Sequence, residues 1–559
     1  MFGQRRTLPS TNAMKQATAK DFSGGLNTID SPLNLSSKYS TDLLNMYPES
    51  NGRLQLRYGT TLAATLATGQ EVVNVEYYSG VVVAVCASGN IYTINDAGTV
   101  TQRTYSPAWT SPVGEVNFSQ FGGKLIICNG VDLPLQMDAT YAVDYLVDAG
   151  TGLNTFVPRA KFMVTHNNYN VAGGILNSET IISISSKGTD GTFVGAAAPN
   201  DGVTLDLASY INTGSPNVTG LASFRDTLIV TFEQVIVSIK LGTYDDSNNH
   251  VPEVRDIIEN VGAISHRSIV PLGDDILFQD LAGVSSVKRA LITATLSPVR
   301  ESTLIADRMN SATASIPLAT LAKTAFAVHD RIESQVLFFV PKTSPVTSST
   351  DNTVFVYNFN VGERYRSFTA YDQLPYRCGC RTQENRIYLA SGNKIYRYQS
   401  RFEPSYGDMR LNVLNSSAMP TPFRMETPWT DLRDPINAKL SKYLQIIAEG
   451  SAQFTVDMYV DRQSTTPDLS MEFYASDMPN TSLQTLWNWT DGTDLWTWTG
   501  DTGLWSDGPA IVSRPAISEQ LYAWPTKFKR AKFVIHGSAT TRLGLVAITL
   551  MYHSASIRR

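Results

Sequence analysis

Apolar residues in this chain come in short runs broken by Gly, Ser, Asn and Asp, not in helical stripes. The stretch VVNVEYYSGVVVAVCASGNIYTIN from Val72 reads as three strands with Ser-Gly and Ser-Gly-Asn turns between them. The same beat returns in VNFSQFGGKLIICNGVDLPLQMD from Val116, GLASFRDTLIVTFEQVIVSIKLG from Gly220 and SIVPLGDDILFQDLAGVSSV from Ser268. It continues in VHDRIESQVLFFV from Val328 and RTQENRIYLASGNKIYRY from Arg381. Units of roughly 25 to 50 residues approach the blade period of a propeller, so residues 66–410 are expected to form a β-propeller-like domain. A sandwich of many hairpins is the competing architecture.

The flanks have a different texture. Residues 1–65 carry no sizeable apolar block and are expected to be an extended N-terminal arm and docking strand, ordered by whatever they lie against. Within them a short helix is predicted over Ser36 to Tyr47, stopped by Pro48, with a strand following in GRLQLRYG. Residues 411–559 read as a distal β-sandwich-like module. Its strands would be YLQIIAEG, AQFTVDMYVD, KRAKFVIHG and LGLVAITLMYH, with Phe454, Val456, Met458 and Val460 alternating as in a sheet with one wet face. Helix is otherwise scarce, with Glu253 to Asn260 and Glu301 to Ser311 the better candidates. The fold class is therefore mainly β.

Composition narrows the function. Charged residues are 17% of the 559, and the net charge of -5 argues against a large nucleic-acid-gripping surface. Arg5, Arg6, Lys15 and Lys20 precede the first acid and suggest a mobile basic arm. Cys86 and Cys128 lie in apolar runs as small buried thiols, and Cys378 with Cys380 lacks further zinc ligands nearby. No signal peptide or membrane span is legible, so assembly in a reducing cytoplasm is expected. No phosphate-cradling glycine turn, Gly-x-Ser-x-Gly elbow or histidine pair at helical spacing occurs. Neither an enzyme nor a cofactor is expected.

One stretch stands out. LWNWTDGTDLWTWTGDTGLW, Leu486 to Trp505, nearly repeats every nine residues, in an insertion at about 480–515. Trp487, Trp489, Trp496, Trp498 and Trp505 could stack on sugar, which would make a carbohydrate-binding or receptor-recognising tail protein. Asp491, Asp494 and Asp501 could hold Ca²⁺, but not at EF-hand spacing. Two indoles of a Trp-x-Trp share one strand face, so distal aromatic packing is the favoured reading.

Several phrases, in order, resemble one family. FSGGLNTIDSPLNL followed by LLNMYPESNGRLQLRYGT is similar to the N-terminal signature of the tail nozzle proteins of short-tailed bacteriophages, also called tail tubular protein B or stabilisation proteins. That signature usually closes on Arg-Pro-Gly-Thr; here Arg57, Gly59 and Thr60 are kept and Tyr58 replaces the proline. VNFSQFGGKLIICNGVDLPLQMD, SFRDTLIVTFEQVIVSIKLG, VGAISHRSIVPLGDDILFQDLAGVSSV and TPWTDLRDPINAKLSKYLQIIAEG resemble later parts of the family in sequence. The resemblance implies a non-enzymatic virion protein, assembled in the host bacterial cytoplasm into a ring, generally a hexamer. That ring lies below the portal and tail adaptor, near fibre, spike or needle proteins, with double-stranded DNA passing through its lumen unread. Gly24, Gly25, Pro32, Arg57 and Gly59 are the candidate docking residues for adaptor or neighbouring subunit. Gly242 to Pro252 and Ser344 to Thr353 are candidate constricting loops.

Overall fold

The computed structural model describes residues 14–474, 517–523 and 526–555, with 490–491 and 494–495. Short segments at 107, 149–151, 195–201, 213–214, 247–249, 274, 290–295, 348–349, 360–365, 410–417, 433 and 462–465 are excepted. The five tryptophans of the repeat lie outside the described residues. The chain divides into two compact units: Met1–Gly25, Pro32–Arg57 and Pro420–Arg559 form one, Leu26–Ser31 and Tyr58–Met419 the other.

The second unit is a β-propeller-like domain. Among the described residues, seven four-stranded antiparallel meanders follow one another: blade 1 (72–103), blade 2 (117–145), blade 3 (160–206), blade 4 (220–259), blade 5 (270–300), blade 6 (326–371) and blade 7 (378–398). Blade 7 takes its fourth strand from the start of the unit: Thr60–Thr65 pairs antiparallel with Lys394–Tyr398, Thr60 opposite Tyr398. The two ends of the unit are thereby stitched into one sheet, which removes an open edge.

The apolar runs follow from this arrangement. A blade is covered on both faces, so both sets of alternating side chains must be apolar. In Val81–Cys86, Val82, Ala84 and Cys86 join the core shared with blade 7, while Val83 and Val85 join the core shared with blade 2. Leu125 and Ile127 face blade 1, and Ile126 and Cys128 face blade 3. Leu228 and Val230 face blade 3, whereas Ile229 faces blade 5. The hairpin turns use the residues the sequence suggests. Ser79 and Gly80, then Gly122 and Gly123, hold positive φ in two-residue turns.

Two predicted helices are strands. Glu253–Glu259 is the outer strand of blade 4, paired with Val235–Lys240. Val254 and Ile258 suit a helical spacing as well as a period of two, and pairing with the neighbouring strand decides. The segment Ser36 to Tyr47 instead forms Tyr39–Ser40, Asp42–Leu44 and Met46–Pro48. Asn45 at φ 56° interrupts any helix there, and Asp42–Leu44 pairs with Thr421–Glu426. Helix does occur at Ala306–Ala314, overlapping the third prediction, and also at Leu318–Thr324. No helix among the described residues is long and apolar enough to cross a membrane.

The first unit contains antiparallel strands from both ends of the chain. Ala438–Gly450 pairs with Leu543–Ala555 and Ile517–Ala523. Leu54–Leu56 and Lys15–Ala19 lie along Leu543–Ala555. A second set joins Thr421–Glu426, Ala531–Ala539, Gln453–Val460 and Leu469–Tyr474. The segment 1–65 is thus not an arm apart. Its described residues up to Gly25 and from Pro32 to Arg57 belong with 420–559, whereas Leu26–Ser31 and Tyr58 onwards belong with the propeller. Lys15 does not sit on a free basic arm either. Lys15 is in a strand, with its Nζ donating to Ser554 Oγ at 3.0 Å. An edge of Leu543–Ala555 left bare would attract other strands, and the chain covers it with its own terminal residues.

Candidate functional site

The residues proposed for docking resolve into separate structural tasks. Gly24 is buried against Tyr39, where an added Cβ would lie 2.6 Å from Cδ1, and its N–H donates to Lys38 O. Gly25 holds φ 65°, a conformation glycine adopts without strain. Gly59 donates to Ser405 O at 2.6 Å, and a Cβ there would lie 2.2 Å from Gly407 O. Backbone against backbone cannot yield as a side-chain tip can. Gly59→Ala is therefore expected to cost on the order of 2 kcal/mol, read as a lowered melting temperature of the propeller unit.

Arg57 is the largest fully buried side chain among the described residues. Its Nε donates to Asn45 Oδ1 at 2.8 Å and its N–H to Asn45 O at 3.0 Å. Asn45 Nδ2 in turn donates to Pro422 O at 2.6 Å. Arg57 ties an N-terminal turn to the first residues of the C-terminal segment and presents nothing to a partner. Of the five residues, Pro32 alone is exposed, with its carbonyl accepting from Trp429 N–H at 3.0 Å. Tyr58, where the resembled signature has proline, is buried against Tyr406 with ring centroids 5.4 Å apart.

A concavity of the first unit lies beside Pro32. It is a groove of about 560 Å³ bounded by Gln16–Ala19, Leu33, Leu35, the turn Thr427–Leu432, Phe533 and Ile548. Asp431 is the one charged lining residue among those described. Trp429 is held in its wall by Lys532, whose ammonium lies 5.5 Å from the ring centroid and 2.7 Å from Glu426. Glu449, nearly buried, ties Arg53 to Arg542 elsewhere in this unit. The strand Lys15–Ala19 pairs only with Leu543–Ala555 among the described residues, which leaves its outer edge open to an added strand.

The propeller carries a half-buried polar cluster, with Asp330 fully buried, that its local sequence does not announce. Glu76 on the first strand of blade 1 has its carboxyl pushed up to about 7, chiefly by burial, against the opposing pull of the Tyr77 backbone and Arg381. Arg381, on the first strand of blade 7, donates to His329 Nδ1 at 3.2 Å. Burial first, then the charges of Arg381 and Arg331, hold His329 down at about 4, so it accepts as a neutral ring. Asp330 is raised to about 6 by burial although it accepts from the Ile332 and Glu333 amides. Cys86 and Cys378 are free, buried and pushed up to about 12 by burial, which makes them inert thiols. Among the described residues no group of three or more His, Cys, Asp or Glu is placed to hold a metal ion. The candidate loop Gly242 to Pro252 connects the third and fourth strands of blade 4, and Ser344 to Thr353 the second and third of blade 6.

No family model matches the chain, and no curated protein matches it. Among solved structures it is similar to a chain of the mitotic checkpoint complex, at 13% identity over 66% of this chain and 98% of that one, with a TM-score of 0.35. The WD40 beta propeller domain of Doa1 matches at 12% identity, covering 61% and 97% respectively, with a TM-score of 0.37. Streptogramin B lyase matches at 10% identity over 69% and 97%, with a TM-score of 0.32. Likenesses this distant say nothing of activity. The propeller assignment rests on the strand order and its closure.

Proposed function

We propose that the protein is a structural virion component, the tail nozzle of a short-tailed bacteriophage. It assembles into a ring below the adaptor, hexameric in the resembled family, that retains DNA and conducts it during ejection. What supports this is the ordered run of nozzle-like phrases along the chain. VNFSQFGGKLIICNGVDLPLQMD spans blade 2 up to its third strand, SFRDTLIVTFEQVIVSIKLG the first three strands of blade 4, and the phrase from Val261 the beginning of blade 5. TPWTDLRDPINAKLSKYLQIIAEG ends on the long strand Ala438–Gly450.

A closed ring of identical subunits needs two different surfaces on each. The groove beside Pro32 and the open edge of Lys15–Ala19 supply one candidate surface. The net charge of -5 suits a channel through which DNA slides, because phosphate contacts by Lys and Arg would add drag. The test mixes full-length protein with the adaptor of the same phage and images the product by electron microscopy. Rings capping the adaptor are expected, and their formation should weaken when Met1 to Lys20 is deleted. Protein that stays monomeric and separate from the adaptor would sink the reading.

A further inference from the structure

A second cavity, of about 390 Å³, opens inside the propeller unit where segments of blades 1, 2, 5, 6 and 7 converge. Its charged lining residues are Arg267, Lys323, Arg377 and Glu71, three cations against one acid. All four directly precede or lie shortly before the first strand of a blade, so the meander order brings them to one mouth. Arg377 is already satisfied. It lies 3.5 Å from Glu71, and its Nη2 and Nε donate to Val346 O at 2.7 Å and Thr347 O at 3.3 Å.

Arg267 is different. Its Nη1 reaches Val73 O at 3.5 Å, its Nη2 donates to Lys323 O, and its Nε is buried with no hydrogen-bond partner. No carboxylate among the described residues pairs with it; Glu115 acts on it only as a more distant charge. Arg267 is half-buried, and a guanidinium partly withdrawn from water is costly unless an anion compensates it. Lys323 is exposed at the end of its helix, beside the same cavity, and adds a second charge.

We propose that this mouth binds an oxyanion, a phosphate or carboxylate group, between Arg267 and Lys323, with Arg377 fixed by Glu71 as the wall behind it. The volume admits a small ligand or the tip of an acidic segment. Guanidinium and ammonium groups both form strong charge-assisted hydrogen bonds to such oxygens. The site is independent of the ring reading, and its failure would leave that reading untouched.

Calorimetry on the full-length protein tests it, with inorganic phosphate in one arm and a hexaglutamate peptide in the other, at ionic strength held constant with chloride. Saturable binding is expected in at least one arm, and which arm responds identifies the source of the oxyanion. Lys323→Gln should weaken it about tenfold, the effect of losing one charge-assisted bond. Arg267→Gln should abolish it. Lys20→Gln, which removes an exposed charge in the other unit, should leave it unchanged. Should Arg267→Gln fail to fold, Lys323→Gln alone decides. Absence of saturable binding in both arms, or Lys323→Gln binding as tightly as Lys20→Gln, overturns the proposal.

Discussion

Arg57→Ala is expected to destabilise the first unit by about 3–5 kcal/mol, a loss typical of breaking a buried charged network. The side chain is fully enclosed, so truncation empties a volume that solvent cannot refill at no cost. It also strips Asn45 Oδ1 of its donor, and Asn45 is the residue that holds Pro422. Arg57→Lys keeps the charge but loses the planar fork, and should recover only part of the stability. Denaturant unfolding followed by tryptophan fluorescence is a suitable readout, since every tryptophan but Trp109 lies in the first unit's segments. If Arg57 were a docking residue, the variant would melt like the parent and fail only with the adaptor. Unchanged unfolding would refute the structural role.

Glu76→Gln should do the opposite and stabilise the propeller, in a pH-dependent way. The free carboxyl titrates at 4.5 and the folded one at about 7. Between those values the folded state holds a proton that the unfolded state has released, so this group's contribution to stability falls as pH rises and levels off above 7. The neutral amide never ionises. Above pH 7 the variant should therefore exceed the parent by on the order of 2–3 kcal/mol, and below 4.5 the two should coincide. His329 and His266, both held at about 4, titrate in the opposite sense over the lower part of this window. Asp330, at about 6, titrates in the same sense as Glu76. The difference between variant and parent cancels these contributions, whereas the slope of either protein alone does not. Melting temperatures measured from pH 4 to 8 give that difference. A gap that stays constant across the range would show that burial does not control Glu76.

The propeller's building blocks were legible because each is local. Val81–Cys86 and the run VLFFV within Gln335–Pro341 are continuous apolar runs, the mark of a strand covered on both faces, and the turn at Ser79 and Gly80 is written in adjacent letters. Gly24, Gly25 and Gly59 read from the sequence as docking candidates, and spacing alone does not show the close approaches and the positive φ that they serve within the chain. Gly59 exists for Gly407, and only folding makes them neighbours. Arg57 misled for a related reason. A charged residue in a polar segment reads as surface, and nothing near it in the chain reveals that Asn45 and the 420–559 segment will enclose it. Glu253–Glu259 failed differently, since a short mixed segment satisfies two periodicities and its neighbour strand makes the choice.

By itself, then, the sequence determined a mainly β chain of repeated hairpin units, with their turns and doubly buried strands, because these depend on periods of two and on glycine dihedrals within a few residues. Tertiary structure alone decided what lies between distant segments. Gln399 and Thr61 meet 338 residues apart to close blade 7, and no local pattern encodes that pairing. The same holds for the terminal strand Lys15–Ala19 completing a sheet with Leu543–Ala555, and for Arg267, Lys323 and Arg377 converging at one mouth. Strands are chosen by local alternation, whereas closure, enclosure and charge convergence are chosen by which distant surfaces and edges satisfy one another once folded.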